Sequence, residues 1–236
     1  MVENLSTRRA ETGVQIRVNS FIQSVYNWMA IGLALTGGIA FYVAHTPAIR
    51  DIVFGNQMIF FGLIIAELGL VFYLSSRVQK IQASTATGLF VLYAALNGVT
   101  ISFIFLAYTG TSIASTFFVC AGTFVACSIY GMVTKRDLTS MGGFMMMGLI
   151  GIIIASIVNI FMQSPMVHMV ISYIGVLVFV GLTAYDTQKL KSMALAQPAD
   201  IDAATLRKGT ILGALTLYLD FINLFLFLLR IFGNRE

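Results

Sequence analysis

The sequence has few charged residues. They make up only 10% of its 236 positions, whereas soluble domains carry about 25%. This deficit excludes an ordinary soluble domain, because most of the surface lacks groups that favour water. The chain has only two cysteines and no histidine near them, which makes neither a zinc site nor a disulfide framework, so the sequence predicts no resident cofactor. Cys120 and Cys127 lie seven apart on one face of an apolar run, which indicates buried free thiols.

Apolar residues are abundant instead, at 58% of the chain, and they form seven long runs. The runs are Phe21–Ala44, Met58–Ser75, Thr85–Ala107, Ser112–Val133, Met141–Met162, Met166–Asp186 and Gly209–Leu229. Each can cross about 30 Å of hydrocarbon as a helix, and none alternates polar with apolar residues as a barrel strand does. The sequence therefore predicts an all-α integral membrane protein. Its single seven-helix domain (residues 21–236) follows a polar cytosolic tail (residues 1–20).

Lysine and arginine are distributed unevenly between the runs. Eleven lie in the tail and in the second, fourth and sixth connections, against three elsewhere. Because cytoplasmic connections carry the excess of these residues, the N-terminus is predicted to be cytoplasmic. The net charge of +4 is then a topology signal rather than a nucleic-acid footprint. If the seventh run were re-entrant, the C-terminal tail would lie on the same side as the N-terminus, and the lysines and arginines would divide thirteen against one. The 21 residues of this run favour a full span.

Three acidic residues lie in these runs, where a central charge costs at least about 2.5 kcal/mol. Glu67 is in the middle of the second run, Asp186 ends the sixth and Asp220 lies inside the seventh. One alternative is a neutral acid that joins helices by hydrogen bonds or, for Asp186, a solvated helix end. The topology nevertheless brings both aspartates and Arg77 to the cytoplasmic half, which favours a functional group.

Other polar residues recur at helical spacing in the last three runs. The stripes are Ser156, Asn159 and Gln163; Ser172, Thr183 and Asp186; and Thr216, Asp220 and Asn223. A single stripe often only joins helices. Three stripes with two carboxylates predict a common hydrated interior or an ion path.

Two neighbouring carboxylates cannot both ionise cheaply in an apolar interior, so the aspartates are expected to share a proton and titrate together. Ionised, they offer oxygen ligands to a cation such as calcium. Arg77 could pair with one of them in a closed state. The motifs Gly-x-Ser-x-Gly, His-Glu-x-x-His and Gly-x-Gly-Asp are missing, so we expect no enzymatic activity.

The end of the chain carries a recognisable motif. Thr-Leu-Tyr-Leu-Asp-Phe-Ile-Asn-Leu-Phe, followed by Leu-Leu-Arg-Ile-Phe-Gly, occupies Thr216–Gly233. It closely resembles the C-terminal signature of the transmembrane Bax inhibitor motif family, in its bacterial branch. Tyr-Asp-Thr-Gln-Lys at Tyr185–Lys189 and Lys-Arg-Asp-Leu at Lys135–Leu138 add to the resemblance, which extends from about Phe21 to the end.

The resemblance implies six helices packed around a central seventh. It also implies a calcium-permeable leak of the bacterial inner membrane, gated by pH through an aspartate pair that matches Asp186 and Asp220. Arg77 matches a basic latch, and Glu67 matches an acid within the second span. Some bacterial relatives are associated with a membrane-anchored quality-control protease. A regulator that binds such a protease or other membrane proteins, through the tail before Phe21, is therefore the alternative.

The charge asymmetry predicts that residues 1–20 and 187–208 lie in the cytoplasm. Cysteines introduced at Ala10 and Asp200 should both be protected from an impermeant thiol reagent in intact cells and react after the membrane is opened. Labelling of either position from outside would overturn the orientation.

Overall fold

The computed structural model describes residues 2–198 and 200–234, with side chains from residue 13 onward. The helices are α1 (Val2–Ala44), α2 (Pro47–Gly55), α3 (Gln57–Arg77), α4 (Ala83–Ile101), α5 (Ile104–Ala107), α6 (Gly110–Val133), α7 (Thr139–Met162), α8 (Pro165–Ala196) and α9 (Ala203–Phe232). The side chains of Arg8 and Arg9, and the whole of Arg235, lie outside the described residues.

Seven helical segments are long and apolar enough to cross a membrane, which confirms the predicted all-α fold class and number of spans. They are α1 from Gly13, α3, α4 together with α5 (Ala83–Ala107), α6, α7, α8 and α9. α1 runs without a break through residue 21, so the predicted boundary between tail and span is not marked by a change of structure. Which end of the bundle faces the cytoplasm stays a prediction.

The helices differ from the apolar runs in three places. The short helix α2, which starts at Pro47, was not predicted. The third span is interrupted between α4 and α5, where the Ser102 hydroxyl donates to the carbonyl of Val99 at 2.7 Å. The expectation that the sixth helix ends at Asp186 is wrong, because α8 continues to Ala196. Residues 187–196 are mostly good helix formers, and the helix stops only before Pro198.

α9 is the most buried span. In its most apolar stretch 72% of the residues are buried, against 6% in α3 and 11% in α7. It packs against α1, α4, α6 and α8. Its Tyr218 is fully buried, with the rings of Phe90 and Tyr93 edge-on at 6.0 and 5.8 Å. α3 packs mainly on α2 and α4, and α7 packs on α8. A ring of six helices around α9 therefore stays a prediction, while four of the six contact it closely.

At one end of the bundle, side chains of α8 and α9 hold the connections in place. We call this the basic end; α3, α6 and α8 finish there, and α7 and α9 begin there. The Gln188 side chain accepts from the backbone N–H of Leu138 at 2.9 Å and donates to the carbonyl of Arg136 at 2.8 Å. Lys208 donates to the carbonyl of Gln79 at 3.1 Å. These bonds tie α8 to the connection after α6, and α9 to the end of α3.

Close packing of α6 on α8 depends on a glycine. A methyl group at Gly131 would overlap the carbonyl of Ala184, which is backbone and cannot rotate away. We expect Gly131→Ala to destabilise the bundle by about 1–3 kcal/mol through overpacking. The measurement is thermal unfolding of the purified protein in detergent.

Gly122→Ala is the matched control, because Gly122 is on the same helix and an added methyl group there meets nothing within 4 Å. Its higher helix propensity should leave stability unchanged or raise it by up to about 1 kcal/mol. Equal stability of the two variants would mean that the helices separate at no cost.

Candidate functional site

A cavity of about 530 Å³ lies between α3, α4, α7, α8 and α9. It brings together Glu67, Asp186 and Asp220, which the sequence places 34 to 153 positions apart. Thr216 and Asn223, predicted as polar support beside Asp220, also line it. Of the predicted residues, these five share one space.

Asp186 and Asp220 face each other from α8 and α9. Their carboxyl groups lie within hydrogen-bonding reach of one another. Both side chains are buried, at 8% and 4% exposure, and the Oδ2 atom of Asp220 has no hydrogen-bond partner among the described residues. Ionised carboxylates only accept hydrogen bonds, so a hydrogen bond between the two groups needs a proton on one of them.

Lys189, rather than Arg77, is the cation that lines a space together with Asp186. Lys189 is exposed, follows Asp186 by three residues on α8 and interacts with it electrostatically. Arg77 is exposed at the end of α3 and forms no ion pair with Asp186 or Asp220 among the described residues. The latch role of Arg77 stays a prediction. Lys189 could have been found from its spacing to Asp186, because residues three apart share a helix face.

Glu67 begins a chain of hydrogen bonds across the bundle. Its carboxylate accepts from the hydroxyl of Thr100 at 2.8 Å and from the side-chain amide of Asn97 at 3.4 Å. The carbonyl oxygen of that amide accepts from the Tyr218 hydroxyl at 3.1 Å, which lies 2.7 Å from the Thr36 hydroxyl. The chain joins α3, α4, α9 and α1. Sequence reasoning missed the α4 partners, although Asn97 and Thr100 are three apart in an apolar run.

The three predicted polar stripes do not meet. Ser156, Asn159 and Gln163 of α7 line a different cavity of about 320 Å³, together with His168 and Arg230. This space lies where α7 and α9 end and α8 begins, opposite the basic end. The expectation of one common interior is therefore wrong for the α7 stripe, because spacing fixes the face of a helix but not its neighbour.

Several polar side chains are satisfied by their own helices. Thr183, predicted as support, is fully buried and donates to the carbonyl of Phe179 at 2.7 Å; it does not line the cavity. Ser172 likewise donates to the carbonyl of His168 at 2.9 Å. These two residues of the α8 stripe thus hydrogen-bond to the backbone of their own helix and do not contribute to the site.

A second, smaller space adjoins the aspartates on the side of the basic end. It measures about 60 Å³ and lies between α8 and α9. Asp186 and Thr216 line both spaces, and Lys189 and Met193 line only the smaller one. A water molecule needs about 10–15 Å³, so a few waters fit beside Asp186.

The described residues contain no group of three or more His, Cys, Asp or Glu side chains arranged to hold a metal ion. Both cysteines are free thiols; Cys120 is buried as predicted, whereas Cys127 is only half-buried.

Comparison with known proteins places the chain among membrane proteins of one family. Residues 18–236 match the family model described as Inhibitor of apoptosis-promoting Bax1. The chain is similar to the inner membrane protein YbhL of Escherichia coli K12, at 54% identity over 97% of the chain and 98% of the relative. A protein of Borreliella burgdorferi is 45% identical over 92% of the chain and 93% of its own length.

The hydrogen bonds of Glu67 predict how it responds to substitution. Glu67→Gln should fold and lose about 1 kcal/mol or less, because glutamine can still accept from Thr100. Glu67→Lys places an ammonium opposite the donor groups of Thr100 and Asn97, and should cost about 3 kcal/mol or more. Expression level and thermal unfolding of the two variants provide the measurement. Equal stability would show that the position is open to water or lipid.

Proposed function

This chain belongs to the Bax inhibitor family, and on that premise we propose that it is a calcium-permeable, pH-sensitive leak of the bacterial inner membrane. Asp186 and Asp220 gate the leak. Its N-terminus is cytoplasmic, and its activity is transport rather than catalysis. The observation that carries the proposal is the contact between two buried carboxyl groups in a cavity inside a bundle of membrane spans.

The aspartate pair acts as the proton sensor. Because the carboxyls touch in a water-poor interior, one proton is held between them near neutral pH. Acidification adds the second proton and removes the remaining negative charge. The pair thus has distinct charge states over the pH range of a cell, and each alters the electrostatic attraction between α8, α9 and any cation nearby.

The two adjoining spaces provide the path. The larger cavity reaches Glu67 at mid-span, and the smaller one leads past Lys189 towards the basic end. Two carboxylates offer calcium fewer oxygens than the six to eight of a resident site, so binding at the pair is brief. Brief binding suits conduction, which requires that an ion leave as readily as it enters.

Arg77 acts as the latch in a closed state. It is exposed at the end of α3, the least buried span, at the same end of the bundle as Asp186. A pairing of Arg77 with an ionised aspartate requires α3 to move towards α8. The few contacts of α3, on α2 and α4, favour such a movement.

A second candidate function is regulation of a membrane-anchored quality-control protease or another membrane protein. α1 begins at Val2, whereas the span predicted from the sequence begins at Phe21. The part of α1 before Phe21 is the docking element in this second proposal. The two functions separate in a purified system, where a leak needs no partner.

Calcium entry into dye-loaded proteoliposomes between about pH 5 and 8 tests the leak. Flux should first rise as the pH falls, because protonation of the paired acid removes its contact with Arg77. It should level off or decline once both acids are neutral and no longer bind calcium. Asp186→Asn and Asp220→Asn should each abolish the pH dependence, and Arg77→Ala should raise flux at alkaline pH.

Asp51→Asn is the matched control, since Asp51 is exposed and lies outside the cavity. It should keep the wild-type pH profile. If both cavity variants also kept that profile, the pair would serve only to join helices, and the regulator would become the better proposal.

A further inference from the structure

The cavity has an apolar mouth on the side of the bundle. Leu68 and Phe72 of α3 and Met146 and Ile153 of α7 line it, and all four side chains are exposed. They lie inside candidate membrane spans, so their exposed surface faces hydrocarbon rather than water. The cavity is therefore open towards the lipid between α3 and α7.

The deep wall of the cavity presents acceptor atoms. The hydroxyl of Thr216 donates to the carbonyl of Leu212, and the amide of Asn223 donates to the carbonyl of Leu219. Their side-chain oxygens remain able to accept. The Oδ2 atom of Asp220, a residue only 4% exposed, accepts no hydrogen bond from any described residue. This wall is matched by a ligand that brings donors.

We propose that the cavity is a binding site for a lipophilic amine that enters from the bilayer. Its ammonium group binds at Asp220, beside Asp186, and its alkyl chain leaves between α3 and α7. An ammonium has three donors and no acceptor, which complements this wall. The ring of Phe179, a buried residue that also lines the space, can contact the cation or its first methylenes.

The size and lining of the cavity agree with a small-molecule site. Its volume of about 530 Å³ lies within the range of about 300–1,000 Å³ that such sites occupy, and apolar side chains outnumber polar ones around it. A hydrated metal ion gains nothing from contact with the apolar side chains of the mouth, whereas an unbranched alkyl chain is stabilised by them. The site uses the aspartates of the proposed leak, but amine binding does not require that the protein conduct calcium.

The test is photolabelling of the full chain in lipid nanodiscs with an alkylamine that carries a diazirine in its chain. Mass spectrometry should place the label on α3 and α7 near the mouth. Unlabelled dodecylamine should compete at least tenfold better than dodecanol, which enters the bilayer but has no charge. Equal competition by the alcohol, or label spread evenly over all lipid-facing helices, would overturn the proposal.

Asp220→Asn should weaken competition by dodecylamine about tenfold or more, because a hydrogen bond to a charged group is lost. The control Asp51→Asn should leave it unchanged. Met146→Trp narrows the mouth at an exposed position that does not disturb the core, and it should reduce labelling even if Asp220→Asn folds poorly. Unchanged labelling in Met146→Trp would contradict entry between α3 and α7. Calcium flux is measured separately and tests whether the protein is a leak, whatever the labelling shows about amine binding.

Discussion

The contact of α8 with α9 is the constraint on which the rest of the structure depends. It brings Asp186 and Asp220 into contact at a depth where neither carboxyl has bulk water. Gly213 permits the approach, since a methyl group there would lie 2.6 Å from the Leu190 side chain. Once the helices are this close, two acids from different helices share one buried space, which is the basis of the coupled titration proposed above.

The second set of polar contacts connects the outermost helix to the innermost. Glu67 lies on α3, whose surface is almost entirely exposed, yet its hydrogen bonds lead through Asn97 to Tyr218 on α9. Tyr218 precedes Asp220 by two residues. A displacement of α3 therefore alters the hydrogen bonds that Asn97 makes with Glu67 and Tyr218. The chain of bonds links the lipid-facing α3 to α9.

The sequence predicts the acids of the site better than their partners. Glu67, Asp186 and Asp220 stand out because a carboxylate in an apolar run is costly and must be satisfied. Asn97 and Thr100 do not, because an uncharged polar residue in a span often bonds to its own helix, as Thr183 does. A pattern in one helix does not distinguish these cases.

The sequence is likewise a limited guide to where each helix ends and which helices pack together. Hydropathy falls after Asp186 because the following residues are polar, but the helix continues to Ala196, since they still favour helical backbone. The α7 stripe has helical spacing, yet it faces Arg230 rather than the aspartates. Which faces meet depends on packing across the whole bundle, and no segment of the sequence carries that information alone.

The burial of α9 has a consequence for the order of assembly. α9 is synthesised after the six spans that precede it, although it fills the space between four of them. Spans insert as separate helices before they associate, so the earlier six must wait in the bilayer without their core. During that interval Thr36 and Asn97 lack Tyr218, and lipid or translocation machinery must cover the surfaces that α9 will occupy. A chain that stops before residue 203 lacks the helix on which α1, α4, α6 and α8 all pack, so these four cannot reach their final arrangement.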